Sequence, residues 1–236
     1  MPIVRRALPA LLLALAACGQ GADPQAEAAS RAAVELQASE ELGRQFDQQF
    51  AAGNWVLAGA HGDVLRADHP DSPAARRIAA QHREAKQKAE GAREEKRVAA
   101  LWAYQSQPVG KREQLSASIL ARDAIDTGAG QSRPRLIFRD HPEWGRSSYL
   151  VLDSGDFDCY GGCRVQVSVD GKARAMAASR PKTDEAIAMF IEDERALWRA
   201  VKDAREVSIT IPVKAGTGRE AVFEVGGLDP ARMPGW

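Results

Sequence analysis

Residues 163–178 read CRVQVSVDGKARAMAA, and this stretch decides the fold class. Val165, Val167 and Val169 alternate with Gln166 and Ser168, so an extended chain here has one apolar face and one polar face. Asp170-Gly171 is a two-residue hairpin signal, after which Ala173 to Ala178 returns as a second strand. The same short, half-wet segments recur at 113–120 (EQLSASIL), 135–138 (RLIF), 148–152 (SYLVL), 206–213 (EVSITIPV) and 220–225 (EAVFEV). One helix is predicted over 183–204, where Ile187, Phe190, Ile191, Leu197, Trp198 and Val201 mark an apolar side that covers the sheet. Residues 105–236 are therefore expected to form an antiparallel β domain with one packed helix, within an α+β chain.

Upstream the pattern is helical. From Gln25 to Ala52 the chain is rich in Ala, Glu and Gln, and Ala38, Leu42, Phe46 and Phe50 recur every four residues as a buried stripe. Asp23-Pro24 suits a helix start, and Gly53-Asn54 breaks the pattern, with Asn54 placed to cap a second helix. Trp55, Ala58, Gly62 and Leu65 share one face of that helix, which Pro70 ends. Ser72-Pro73 opens a third helix predicted to reach Tyr104, with Ile78, Ala85, Ala92 and Ala99 spaced by seven and Ala75 and Ala89 on the same side. The expectation for 25–104 is a helical hairpin plus a long third helix. Between Ser72 and Arg97 eight Lys or Arg face four Glu, which reads as a solvated face or a contact for an acidic surface.

Gly53, Asn54, Trp55, Ala58 and Pro70 sit at the spacing of a tetratricopeptide repeat, and the segment 42–76 resembles one such unit. The resemblance implies protein contact through a helical groove. A second copy at the ~34-residue period is missing, and one unit cannot bury its own face, so a generic helical hairpin remains the alternative.

The first eighteen residues, MPIVRRALPALLLALAAC, place Arg5 and Arg6 before an apolar run that leads into small residues and Cys18. This is the three-part plan of a secretory signal, too short for a permanent transmembrane helix. Leu15-Ala16-Ala17-Cys18 resembles the lipobox of bacterial lipoproteins. That resemblance implies removal of residues 1–17, lipidation of Cys18 with diacylglycerol and a further acyl chain such as palmitate, and a membrane anchor followed by a tether over 18–24. Three chains at about 0.8 kcal/mol per buried CH₂ hold effectively permanently. Gly19 after the cysteine, where the inner-membrane sorting pattern has Asp, implies the periplasmic face of the outer membrane.

The segment 163–228 resembles the carboxy-terminal module of several bacterial envelope proteins, among them the TagO-like proteins of type VI secretion and the invasion-associated locus B family. The shared features are a cysteine opening a strand, a second strand ending in Ser179-Arg180-Pro181, a helix, and a closing strand pair ending Val225-Gly226-Gly227-Leu228. The resemblance implies an envelope location and a β-rich accessory module. It transfers no catalytic residue.

Composition excludes several classes. The chain has 236 residues, 44% hydrophobic and 27% charged, with 32 basic against 32 acidic side chains, so it folds and carries no net field to attract nucleic acid. The paired glycines do not precede a helix in a βαβ unit, so no nucleotide cradle is expected. Cys159 and Cys163, separated by Tyr160-Gly161-Gly162, are expected to form a disulfide in an oxidising compartment. A redox-active thiol pair is the alternative, although active pairs favour C-x-x-C at a helix start.

His61 with Asp63, or Asp68 with His69, offers metal-ligand types without closing a site, so neither metal nor cofactor is expected. The loop 139–148 (RDHPEWGRSS) holds acids, His141 and two serines, the ingredients of nucleophilic catalysis without a G-x-S-x-G elbow. It reads either as a turn with Trp144 folded over the sheet edge, as a hydrolase site around His141, or as a partner-contact surface through His141, Trp144 and Arg146, with Trp55 the matching candidate on the helices. The leading functional expectation is a non-enzymatic, lipid-anchored module that contacts an envelope protein. The alternatives are an envelope hydrolase using His141 and a periplasmic thiol protein using Cys159 and Cys163.

Overall fold

The computed structural model describes residues 23–182, 187–214 and 216–236. The signal and lipobox readings, Cys18 included, lie outside the described residues, as does the start of the helix expected over 183–204. The chain forms two compact units, through Gln87 and from Lys88 onward.

The helical unit holds α1 (Pro24–Ala51), α2 (Trp55–Asp68) and the part of α3 (Pro73–Ala99) that precedes Lys88. Asp23 caps α1 by accepting from the Gln25 amide, and Ser72 caps α3 by accepting from the Ala75 amide at 3.1 Å. Asn54 stands at the cap position of α2 but makes no side-chain cap; its amide instead donates to the Gln49 side chain. The core gathers Phe46, Leu65 and Ile78 with Ala58, Ala74, Ala75 and Ala85, and Leu42 and Phe50 pack at its margin. Ala38 is exposed, and Ser39 and Gly43 lie deepest beside Phe46. The expected stripe is thus shifted by about one residue at its start, because a Cβ on Gly43 would stand 3.1 Å from that of Ala74, so the helices meet over the smallest side chain.

The β unit is built on a nine-stranded antiparallel sheet in the order β1-β2-β5-β6-β9-β8-β7-β10-β11. Its strands are β1 (Trp102–Val109), β2 (Arg112–Leu120), β5 (Arg135–His141), β6 (Gly145–Val151), β7 (Cys163–Val169), β8 (Lys172–Ser179), β9 (Ala188–Ile191), β10 (Val207–Ile211) and β11 (Arg219–Phe223). The short β3 (Ile125–Asp126) and β4 (Gln131–Ser132) pair separately, and α4 (Glu194–Val201) follows β9. All seven strands read from alternation are present, within an α+β chain.

The sheet curls around one core. Side chains from both ends of the strand order, Ile119 and Phe223 among them, join one buried cluster, and α4 adds Leu197, Trp198 and Val201 to it. The Trp102 indole N–H donates to the Val225 carbonyl at 3.2 Å, and the Asp229 amide to the Tyr104 hydroxyl at 2.7 Å, so β1 is tied to the chain that leaves β11.

Two expectations are corrected. The third helix ends at Ala99, and Trp102–Val109 is the edge strand β1. Trp102 and Tyr104 turn inward while Ala103 and Gln105 are exposed, and Pro108, which lacks an N–H, is tolerated where one side of the strand has no neighbour among the described residues. The helix predicted over 183–204 is instead β9 followed by α4. Ala188, Met189 and Ile191 are buried and Phe190 half-buried, so the apolar run IAMFI is packed from both faces of the sheet and carries no period that separates strand from helix. The helix begins only where Asp193 accepts from the Ala196 amide.

Candidate functional site

The turn between β5 and β6 builds the most distinctive surface. His141 ends β5 and is buried, and its Nδ1 accepts from the amides of Glu143 at 3.1 Å and Trp144 at 3.2 Å. These two bonds orient the ring, and Trp144 stacks on it with centroids 3.9 Å apart and planes 8° from parallel. The outer side of Trp144 faces solvent, with the residue 70% exposed. Arg139 lies over the rings of Trp144 and Tyr149, at 5.5 and 5.3 Å, and its Nε donates to the Ser147 hydroxyl. Arg146 stands opposite Asp140 across the hairpin. The result is an aromatic and cationic platform held by its own turn.

This geometry does not assemble the hydrolase constellation. The His141 nitrogen that would pair with an acid is bonded to main-chain amides, and the ring face is covered by Trp144. Ser147 accepts from Arg139, and the Ser148 hydroxyl is fully buried without a hydrogen-bond partner. A nucleophile must reach both its base and the substrate, and neither serine does so here. Trp144 folds over His141 rather than over the sheet edge.

The second cluster surrounds the cysteine pair. The sulfurs of Cys159 and Cys163 stand 1.98 Å apart, at bonding distance, with Cα atoms 5.1 Å apart. Cys159 is buried, which removes the exposed attacking thiol that the redox alternative needs. The loop between them places Tyr160 between two cations, Arg180 at 4.5 Å and Lys214 at 4.6 Å from its ring centre. Asp156 collects hydrogen bonds from Lys214, the Tyr160 hydroxyl, Arg180 Nε and the Phe157 amide. Burial pushes the Asp156 carboxyl up, but the bonds from Lys214, Arg180 and Tyr160 outweigh it and hold the pKa at about 2. Arg180 is almost wholly buried, and Asp156 is one of the groups that balance it, alongside the Pro181 carbonyl that accepts from its Nη1.

In the helical unit, His82 is buried against Gly62, with Nε2 3.0 Å from Asp63 and 3.2 Å from the Gly59 carbonyl and Nδ1 lacking a hydrogen-bond partner. His69 Nδ1 faces Glu35 at 3.3 Å. No group of three or more His, Cys, Asp or Glu among the described residues could hold a metal. Trp55 is half-buried and packs edge-on against Phe50, while Val56, Leu57 and Val64 of α2 are exposed. No helix among the described residues is long and apolar enough to cross a membrane.

Comparison with known families, curated proteins and solved structures finds no match to this chain. The reading of the site therefore rests on geometry alone. Of the residues singled out from sequence, His141, Trp144 and Arg146 share one turn, whereas Trp55 belongs to the other unit. Asp156 and Lys214 were not singled out, and Arg180 was read only as part of the strand end Ser179-Arg180-Pro181, because the three lie 24 and 34 residues apart along the chain; the one local signal was Tyr160 inside the cysteine loop.

Proposed function

We propose that this chain is a non-enzymatic lipoprotein, anchored through Cys18 on the periplasmic face of the outer membrane, that contacts another envelope protein. The observation that carries the reading is the leader ending in Leu15-Ala16-Ala17-Cys18, with the helix cap at Asp23 only five residues later. The Trp144 platform supports a contact role: it exposes a large aromatic beside Arg139 on a hairpin, the residue types enriched where binding energy concentrates. The cysteine pair fits an oxidising compartment.

The test has two readouts on the full chain. Mass analysis of the mature protein should show the chain beginning at an acylated Cys18 and sedimenting with membranes. In-cell crosslinking should then recover a reproducible protein partner, and Trp144→Ala should reduce that recovery at least fivefold. An unmodified Cys18 in the soluble fraction overturns the anchor, and repeated recovery of the protein alone overturns the contact role.

A further inference from the structure

Among the described residues, part of β8 has no strand on one of its sides. β9 spans four residues against eight in β8, and the two pair only at Ala178↔Ile191 and Ser179↔Phe190, with one further bond from the Glu192 amide to the Ala177 carbonyl. At Asp193 the chain leaves the sheet to start α4, so among the described residues Lys172–Met176 has a strand neighbour, β7, on one side only.

The tight turn determines which backbone groups are left over. In a two-residue hairpin the closing pair, here Val169↔Lys172, exchanges both hydrogen bonds, and every second residue after it does the same. Lys172, Arg174 and Met176 thus direct their N–H and C=O groups to β7, while Ala173 and Ala175 direct theirs to the open side. The bond from Glu192 to Ala177 has this same parity. Ala173 and Ala175 are exposed, and a groove beside Ala175 and Ala177 is walled by Met176, Glu192, Asp193 and Ala196, with Arg174 donating to the Ala196 carbonyl.

We propose that this groove takes an extended peptide segment of another protein as an added antiparallel strand on β8. A row of outward N–H and C=O groups at strand spacing is matched by another extended backbone, which supplies both partners in register. Five residues of such a strand span roughly 17 Å. The methyl side chains of Ala173, Ala175 and Ala177 leave room on the outer face for bulky side chains of the incoming strand. Charge fixes the direction: Lys172 stands at the turn end of the open stretch of β8, and Glu192 and Asp193 stand at the other end, while Arg174 is engaged by the Ala196 carbonyl of α4. The fitting segment therefore runs from a basic residue beside Glu192 to an acidic residue beside Lys172. The inference rests on the reading of this chain as a protein-contact module, but uses a different surface from the Trp144 platform.

The test uses the full chain in detergent and a capped peptide, Lys-Val-Phe-Val-Asp, with amide hydrogen exchange as the readout. The peptide should slow exchange at Ala173 and Ala175 at least threefold and saturably, and the charge-reversed peptide Asp-Val-Phe-Val-Lys should bind at least fivefold more weakly. Ala175→Pro removes one outward N–H without breaking the ladder to β7, a position where an edge strand accepts proline. It should abolish peptide protection at Ala173 and leave the thermal midpoint within a few degrees. Should that variant not fold, a peptide N-methylated at its central residue makes the same test from the other side and should not protect.

Equal binding of both charge orders, or undiminished protection with the proline variant or the methylated peptide, overturns the proposal. So does protection of Ala173 and Ala175 before peptide is added that rises with protein concentration, since a second copy then occupies the edge. In-cell crosslinking separates the two readings. A partner recovered equally with wild type and Ala175→Pro removes the groove from the interface and leaves the contact role standing, whereas no partner with either removes the contact role itself.

Discussion

In the helical unit Phe46, Leu65 and Ile78 are the large side chains at the centre of a core otherwise made of alanines, and a Cβ on Gly62 would stand 2.3 Å from the His82 ring. In the β unit Phe138, Phe157 and Phe223 fill one continuous cluster with branched aliphatics such as Ile119, Leu136, Leu150, Val167 and Ile209, and Phe138 is edge-on to both Trp198 and Trp236. Apolar area stabilises at roughly 25 cal/mol per Å², so close approach of small side chains and burial of large ones are not equivalent. The helical unit has close contacts and little area; its stability depends on a few residues. The β unit distributes the same task over many.

The largest expected effect tests that dependence. Phe46→Ala should cost about 4 kcal/mol, and amide exchange in α1 and α2 should accelerate before any change in the strands. Uniform acceleration across both units would show that they do not differ in this way. Next, Asp156→Asn should cost the β unit about 3 kcal/mol by removing the carboxylate that Arg180, Lys214 and Tyr160 share, read from denaturant unfolding.

The pH dependence follows from the same carboxyl. Its folded pKa of about 2 lies below the unfolded value near 3.8, so the stabilisation is complete above about pH 4 and is lost as pH falls toward 2. The Asn variant should lack that part of the acid transition. Reducing the Cys159–Cys163 bond, which closes a very short loop, should cost about 2 kcal/mol, seen as a lowered melting point on adding reductant. The smallest effect on stability belongs to Trp144→Ala, about 0.5 kcal/mol because the ring is mostly in solvent, even as partner capture falls. A large loss of stability there would make Trp144 a structural lid on His141 and not a contact residue.

Much of the fold was legible because strands with one wet face write their period into the chain: Val207, Ile209 and Ile211 of β10 are buried and the residues between them are not. β9 was missed for the converse reason, since a strand packed on both faces looks like any apolar run. β1 was absorbed into the preceding helix because Arg93 to Val98 favours helix and no proline or glycine marks the stop at Ala99. At the site, the chemistry of the 139–148 loop could be read, but not its geometry. That the Nδ1 of His141 bonds to its own turn depends on a register visible only once β5 and β6 are paired. The Asp156 cluster joins residues from three separate segments, and pairwise attraction between distant charges leaves no trace in sequence spacing.

The cap at Asp23 also has a mechanical side. From Pro24 to Arg31 the opening two turns of α1 are exposed, kept rod-like by a proline start, three alanines and the Glu27–Arg31 ion pair. A pull applied at Pro24 would therefore act along the axis of α1 before it reached the packed part of the helix.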